Sequence, residues 1–310
     1  IAALILKDLE VRSVRLITNN PQKISELSRL GIRIDDRIPI VVRHNTDNEG
    51  YLRAKAERMN HLLGLGDKGL VSEEMSFLQP LVDQLLVHRE VAGRRPFVTL
   101  SYAQSIDGSI SVRASRPFSL SCRKSLEMTH LLRSLHDALL VGINTVLVDD
   151  PQLTVRHVEG DNPTPVVLDS RLRCPEQAKL LGHPTVKPVI LTTDDAADEK
   201  KQRLTERGAR IFTVPKNDDG RIDLSAALEL LSNLNLKTVM VEGGATVINE
   251  FLNRQFVDYC IVTVVPRIIG GVKAVDSLCT HHRTPPLSII NCQYQTLDSD
   301  LIIYGSMGRH

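Results

Sequence analysis

From residue 95 to the C-terminus, short β-branched apolar runs alternate with stretches of helical spacing. That alternation constrains the fold more than any single motif, because strands joined through helices build a sheet with helices over its faces. The pattern predicts strands near 97–103, 138–142, 165–169, 188–192, 210–214, 237–242, 258–265 and 300–304. It predicts helices near 121–136, 196–207, 223–233 and 245–254. In the first of these, Leu126, Met128, Leu131, Leu132, Leu135 and Leu139 form a broad apolar stripe. Asp258 to Pro266 suits a long late strand, and Asp300 to Gly305 a last strand, antiparallel and near an edge. The expected class is α/β, a mixed sheet flanked by helices.

Upstream, residues 1–63 form a separate block, expected as a small α/β unit. Ile1 to Leu6 reads as the end of a helix, so the chain reads as part of something longer or as processed. Val14 to Thr18 and Ile38 to Val42 read as strands. Asn19 to Lys23 is a turn that starts a helix, with Pro21 in its first turn, and Asn48 to Leu63 has helical spacing. Residues 64–94, bracketed by glycines, read as a connector whose helix starts at Ser72 and is interrupted by Pro80.

Composition excludes several classes. Lysine plus arginine is 38 against 37 aspartate plus glutamate, which gives no general attraction to nucleic acid or an anionic membrane. Without tryptophan, and with 4% aromatics, base-stacking surfaces are poorly supplied. No apolar run approaches the roughly 18 residues of a membrane span. The five cysteines are odd in number and none forms Cys-x-x-Cys, so they read as reduced thiols of a cytoplasmic protein. No His-x-Glu with a later Pro-Cys-x-x-Cys is present, and no metal site is expected. All ten histidines read as structural or surface residues.

Three segments carry candidate chemistry. Val239 to Leu252 reads as a buried strand, a Gly243-Gly244 turn and a helix. Glycines let backbone approach a ligand, and the helix start offers N–H groups to an anion. Glu242 would sit at the strand's carboxyl end, where ligands of α/β sheets bind. A Gly-Gly pair alone fits an ordinary turn better, and it is not the GxGxxG fingerprint. Thr145 to Arg156 reads as one short loop bearing Asp149, Asp150 and Arg156. Asp149 suits a ribose or amine, and Arg156 and Arg133 suit a phosphate, since a guanidinium matches phosphate oxygens in a fork. A solvated arginine and a plain Asp-Pro turn are the ordinary alternatives. Tyr102 to Gly108 ends a strand, and Ala103 is small enough for a flat ring to lie against backbone.

At these residues the chain resembles a known family. "PFVTLSYAQSIDGSI", "THLLRSLHDALLVGINTVLVDDPQLTVR", "PVVLDS" and "VEGGATVINEFL" look like the reductase domain of riboflavin biosynthesis, over about 95–305. The resemblance implies a dihydrofolate-reductase-like fold, a homodimer, and NADPH-dependent reduction of the ribosylamino group of a pyrimidine 5′-phosphate to ribitylamino. It implies cofactor contacts at Ala103, Thr145, Asp149, Ser170, Gly243, Gly244, Ala245 and Thr246. It implies substrate contacts at Arg133, Leu153, Arg156 and Glu242, with Asp149 and Glu242 nearest the chemistry. Ser170 and Arg171 are candidates to meet a 2′-phosphate. Residues 1–63 resemble the C-terminal part of GTP cyclohydrolase II through "VRLITNNPQKI", "GIRIDDRIPI" and "NEGYLRAKAERMNHLL". Thr18 and Lys23 match positions that contact GTP there. That family's zinc cysteines have no counterpart in these strings, so ring opening by this chain is not expected.

Two other readings stay open from sequence. One is a pterin reductase of the same fold, disfavoured by the two arginines. The other is a non-catalytic docking role for residues 1–63.

Overall fold

A nine-stranded sheet carries the larger part of the molecule, in the order β12-β13-β10-β3-β9-β5-β6-β7-β8. The computed structural model describes residues 6, 8, 9, 11, 13–17, 27–38, 71–90, 93–112, 120–276, 278 and 287–308. The chain divides into two units, Ile1–Glu90 and Val91–His310.

In the first unit β1 (Ser13–Ile17) pairs in parallel with β2 (Arg33–Ile38). The second strand thus lies upstream of the expected 38–42, of which only Ile38 is described. Its sequence Arg-Ile-Asp-Asp-Arg-Ile is too charged to register in a search for apolar runs. A 3-10 turn (Glu73–Leu78) leads directly into α1 (Gln79–Glu90). Pro80 falls in the first turn of α1, at the junction where the 3-10 turn that starts after Ser72 gives way to the α-helix, so the expected interruption is a change of helix type. The Asn19–Lys23 turn and the 48–63 helix lie outside the described residues.

The second unit runs β3 (Phe97–Ser105), β4 (Ser109–Ser111), α2 (Arg123–Ser134), β5 (Ala138–Gly142), α3 (Ile143–Asp149), β6 (Thr164–Leu168), β7 (Val189–Thr192), α4 (Asp198–Glu206), β8 (Arg210–Thr213), α5 (Leu224–Asn233), β9 (Thr238–Val241), α6 (Ala245–Asn253), β10 (Tyr259–Val265), β11 (Val272–Lys273), β12 (Ile289–Leu297) and β13 (Asp300–Met307). Every expected strand and helix of this unit is present, within a few residues. The stripe residue Leu139 belongs to β5, not to α2. Among the described residues, α3, β4, β11, β12 and a 3-10 turn (Lys179–Gly182) were not expected.

From β10 to β8 the strands are all parallel; at the far end β13 alone is reversed, pairing antiparallel with β10 on one side and with β12 on the other. Parallel strands covered on both faces read as continuous apolar runs. Here Leu100, Leu140, Val166, Leu191, Val239 and Val241 bury one face in a cluster with Leu228 and Leu231 of α5 and Ile248 and Phe251 of α6. The alternate residues Leu139, Val141, Val167, Ile190 and Met240 are equally buried. Burying the Phe251 side chain stabilises by roughly 2–3 kcal/mol.

Carboxylates staple the amino edge of the sheet. Asp137 Oδ2 accepts the N–H groups of Lys237 and Thr238, and Asp258 Oδ2 accepts that of Val98 while Arg95 grips both its oxygens. The opposite, carboxyl edge is left to the candidate site.

Candidate active site at the carboxyl edge of the sheet

Four adjacent strands, β3-β9-β5-β6, deliver the sequence candidates to one edge. Ala103 lies near the end of β3, and Glu242 to Thr246 follow β9. Thr145 and Asp149 lie on α3 directly after β5, and Ser170 lies two residues beyond β6. Neighbours β9 and β5 send their chains opposite ways: β5 on to β6, and β9 back past β3 to β10. Where such connections diverge, a crevice opens outside the carboxyl ends of the strands.

Val247, in the first turn of α6, seals that helix onto both strand ends. A Cβ on Gly142 would sit 2.8 Å from Val247 Cγ2, and one on Gly243 2.5 Å from Val247 Cβ. Gly243 is therefore small for packing. Gly244 differs, since a Cβ there meets nothing within 4 Å. Gly244 O accepts from Val247 and Ile248, and no side chain caps the helix, so the Ala245 and Thr246 N–H groups have no helical acceptor. Backbone of that kind suits an anionic group.

Arg133 and Glu242 meet across 109 residues of sequence. Arg133 Nε donates to Glu242 Oε1 at 2.7 Å and Nη2 to Oε2 at 2.6 Å. Its Nη1 donates to the Thr154 carbonyl at 3.0 Å. All three guanidinium nitrogens hold a protein partner, which leaves the second N–H of Nη1 and of Nη2 for a substrate oxygen. Burial works against its charge, and Glu242 more than offsets that, holding the guanidinium above its ordinary pKa. Arg156 is the exposed cation, its Nη1 donating to Thr154 Oγ1 at 3.2 Å. It lines a cleft of about 320 Å³ with Gln152, Asn162, Lys179 and His183.

The Thr145–Arg156 segment is not one loop. Asp149 ends α3, and Asp150 caps it with a left-handed backbone, φ 41°. Leu153, buried, is left-handed too at φ 58°, a conformation uncommon for a residue with a branched side chain. The two aspartates part company. Asp150 Oδ1 accepts the Lys179 N–H, and Oδ2 pairs with its ammonium. The Asp149 carboxylate shows no hydrogen bond to a described residue, and partial burial raises it above the usual carboxylate range. Ser170 is engaged, its Oγ accepting from Ile222 N at 3.3 Å and its carbonyl from Thr193. Thr18 and Lys23 lie outside the described residues.

Residues 96–302 match the family model described as RibD C-terminal domain. The chain belongs to that family. Residues 1–39 match GTP cyclohydrolase II. The chain is 34% identical over 215 residues to the 2,5-diamino-6-ribosylamino-4(3H)-pyrimidinone 5′-phosphate reductase of Methanothermobacter thermautotrophicus, covering 67% of this chain and 97% of that one. It is 30% identical to the riboflavin biosynthesis protein RibD of Aquifex aeolicus, covering 69% of this chain but 58% of that protein. It is 28% identical to the riboflavin biosynthesis protein PYRR of Arabidopsis thaliana, over 91% of this chain and 47% of that one. The chain thus spans about half the length of the longer relatives. Among solved structures, the riboflavin biosynthesis reductase Rib7 of Saccharomyces cerevisiae aligns with TM-score 0.62 at 26% identity, over 75% of this chain and all of that one.

Sequence reasoning missed His130, which is 3% exposed and whose Nδ1 accepts the Arg156 N–H at 3.1 Å. A usable signal was present: His130 and Arg133 are three apart on one helix, so they share a face.

Proposed function

We propose that this RibD-family chain reduces the ribosylamino group of a pyrimidine 5′-phosphate to ribitylamino, with NADPH as the hydride donor. The convergence of Ala103, Thr145, Asp149, Glu242 and the α6 start on one switch-point crevice carries the reading. The names of the relatives, which include pyrimidinone phosphate reductases, support it.

The residues suit a dinucleotide. Gly244 has room beside it, and Ala245 and Thr246 offer unpaired N–H groups at a helix start. Ala103, Thr145, Asp149, Ser170 and Gly243 to Thr246 would hold the cofactor, which supplies the hydride when bound. Exposed Arg171, just past β6, suits the extra phosphate of NADPH over NADH. The chain's own work is positioning. Arg156 grips the 5′-phosphate and makes the reaction nearly intramolecular. Arg133 locks Glu242 in one orientation, and the carboxylate's remaining lone pairs accept from the pyrimidine amine or a ribose hydroxyl. Asp149 holds the reacting sugar or the carboxamide of the cofactor, and water supplies the proton to the nitrogen of the opened ribosyl imine.

A homodimer belongs to the same proposal. The outermost strand β12 exposes Tyr294 at 77% and Ile290 at 48%, an edge that proteins commonly cover.

The test follows NADPH oxidation with the diaminopyrimidinone ribosylamino phosphate and with its deaminated uracil counterpart, beside dihydrofolate. Turnover of one pyrimidine phosphate and not of dihydrofolate is expected. Turnover of dihydrofolate alone would replace this reading with the pterin one.

A further inference from the structure

The Leu153–Arg156 segment has no regular secondary structure, yet three consecutive backbone groups are held. The Thr154 carbonyl accepts from Arg133 Nη1 at 3.0 Å. Val155 N donates to Asn162 Oδ1 at 2.7 Å. Arg156 N donates to His130 Nδ1 at 3.1 Å. Two of the three partners come from one face of α2. The segment is thereby clamped to a helix with its one strained residue, Leu153, buried and its one cation, Arg156, turned outward.

We propose that His130 is a positioning residue for the reduction: its neutral Nδ1, acting with Arg133, fixes the backbone from which Arg156 reaches the substrate phosphate. This rests on the reading of Leu153–Arg156 as the substrate segment. The role asks for an acceptor at Nδ1, and hence a ring that stays unprotonated. Its surroundings provide that. Burial comes first, and Arg133, His157 and Arg156 add positive or ionisable neighbours, which together push the imidazole down to about 3. His157 stands edge-on to it, 4.5 Å between ring centres. A residue that merely filled space here would need no acceptor. The distinction is testable because asparagine and leucine have nearly the same shape, and only asparagine places an acceptor oxygen where Nδ1 lies.

The experiment compares His130→Asn with His130→Leu in the full chain, measuring KM for the pyrimidine phosphate, KM for NADPH, kcat and the thermal midpoint. His130→Leu is expected to raise KM for the pyrimidine phosphate about tenfold, the loss of one hydrogen bond's worth of positioning, with KM for NADPH and kcat within about threefold. His130→Asn is expected to restore it. Equal values in the two variants, or a parallel rise in both KM values that follows the thermal midpoint, would overturn the proposal. Arg156→Ala separates the two layers: if it leaves KM unchanged, the substrate-segment reading itself fails. If Arg156→Ala raises KM and His130→Leu does not, only the positioning role fails. Should His130→Leu not fold, His130→Gln takes its place, since its carbonyl reaches past the Nδ1 position. Gln raised tenfold and Asn normal supports the clamp, and equal values sink it.

Discussion

At the scale of single residues, the ion pair of Arg133 and Glu242 sets the character of the site. Both side chains are largely out of water, at 13% and 18% exposed. Removing one partner leaves the other charge uncompensated, so Arg133→Met should destabilise by about 3 kcal/mol, read by denaturant unfolding. Arg133→Lys should also fail to restore KM for the pyrimidine phosphate, since an ammonium cannot span Glu242 and the Thr154 carbonyl together. His130 makes a pH prediction whose sign is fixed. The unfolded ring takes a proton near 6.5, and the folded ring resists until about 3. Its contribution to stability is whole above pH 6.5 and is lost as pH falls from there toward 3. The stability difference between the parent chain and His130→Asn should therefore shrink on acidification from pH 7 to 4, and a pH-independent difference would refute this. Sequence spacing pointed to Glu242, since a glycine turn after an apolar strand marks a strand's carboxyl end. It had no access to the pairing with Arg133, because no periodicity links residues that far apart.

At the scale of elements, the two glycines after β9 separate packing from binding. Gly243→Ala drives a methyl into Val247 Cβ, an atom that cannot swing aside, and should cost about 1–3 kcal/mol. Gly244→Ala meets open space at φ −72°, so the fold should change by no more than about 0.5 kcal/mol. If the cofactor lies against it, KM for NADPH should rise severalfold all the same, and titration of NADPH fluorescence checks this. The buried strands were legible because both their faces are apolar. Helix α3 was hidden by the Asp-Asp-Pro run at its end, although Ile143 and Val146 already show helical spacing. Strand β12 escaped because it is the outer strand, mostly exposed, and its Asn, Cys and Gln residues carry no alternating signal. The order in which strands line up, and hence the crevice itself, is a long-range property that no local pattern encodes.

At the scale of the molecule, the division at Glu90 and Val91 leaves the whole RibD C-terminal match, residues 96–302, in the second unit. A chain beginning at Val91 should fold and keep kcat and both KM values within about twofold, and loss of NADPH turnover there would tie the first unit to the chemistry. The sheet order also has a consequence in time. Strands β3 and β5 are near in sequence but never touch, because β9 fills the place between them. On a ribosome adding about 5–20 residues per second, the gap waits roughly 5–20 s for the missing strand. Until it arrives, β3 has neither neighbour, since β10 follows β9 in the chain, one edge of β5 stands open, and Glu242, which β9 brings, is absent from Arg133. The nascent chain thus has no half-built crevice. The crevice closes late, slow to reach because the pairing is so distant, with β10, β12 and β13 of the same sheet still to follow, and it is in that interval that the protein most needs shelter from aggregation.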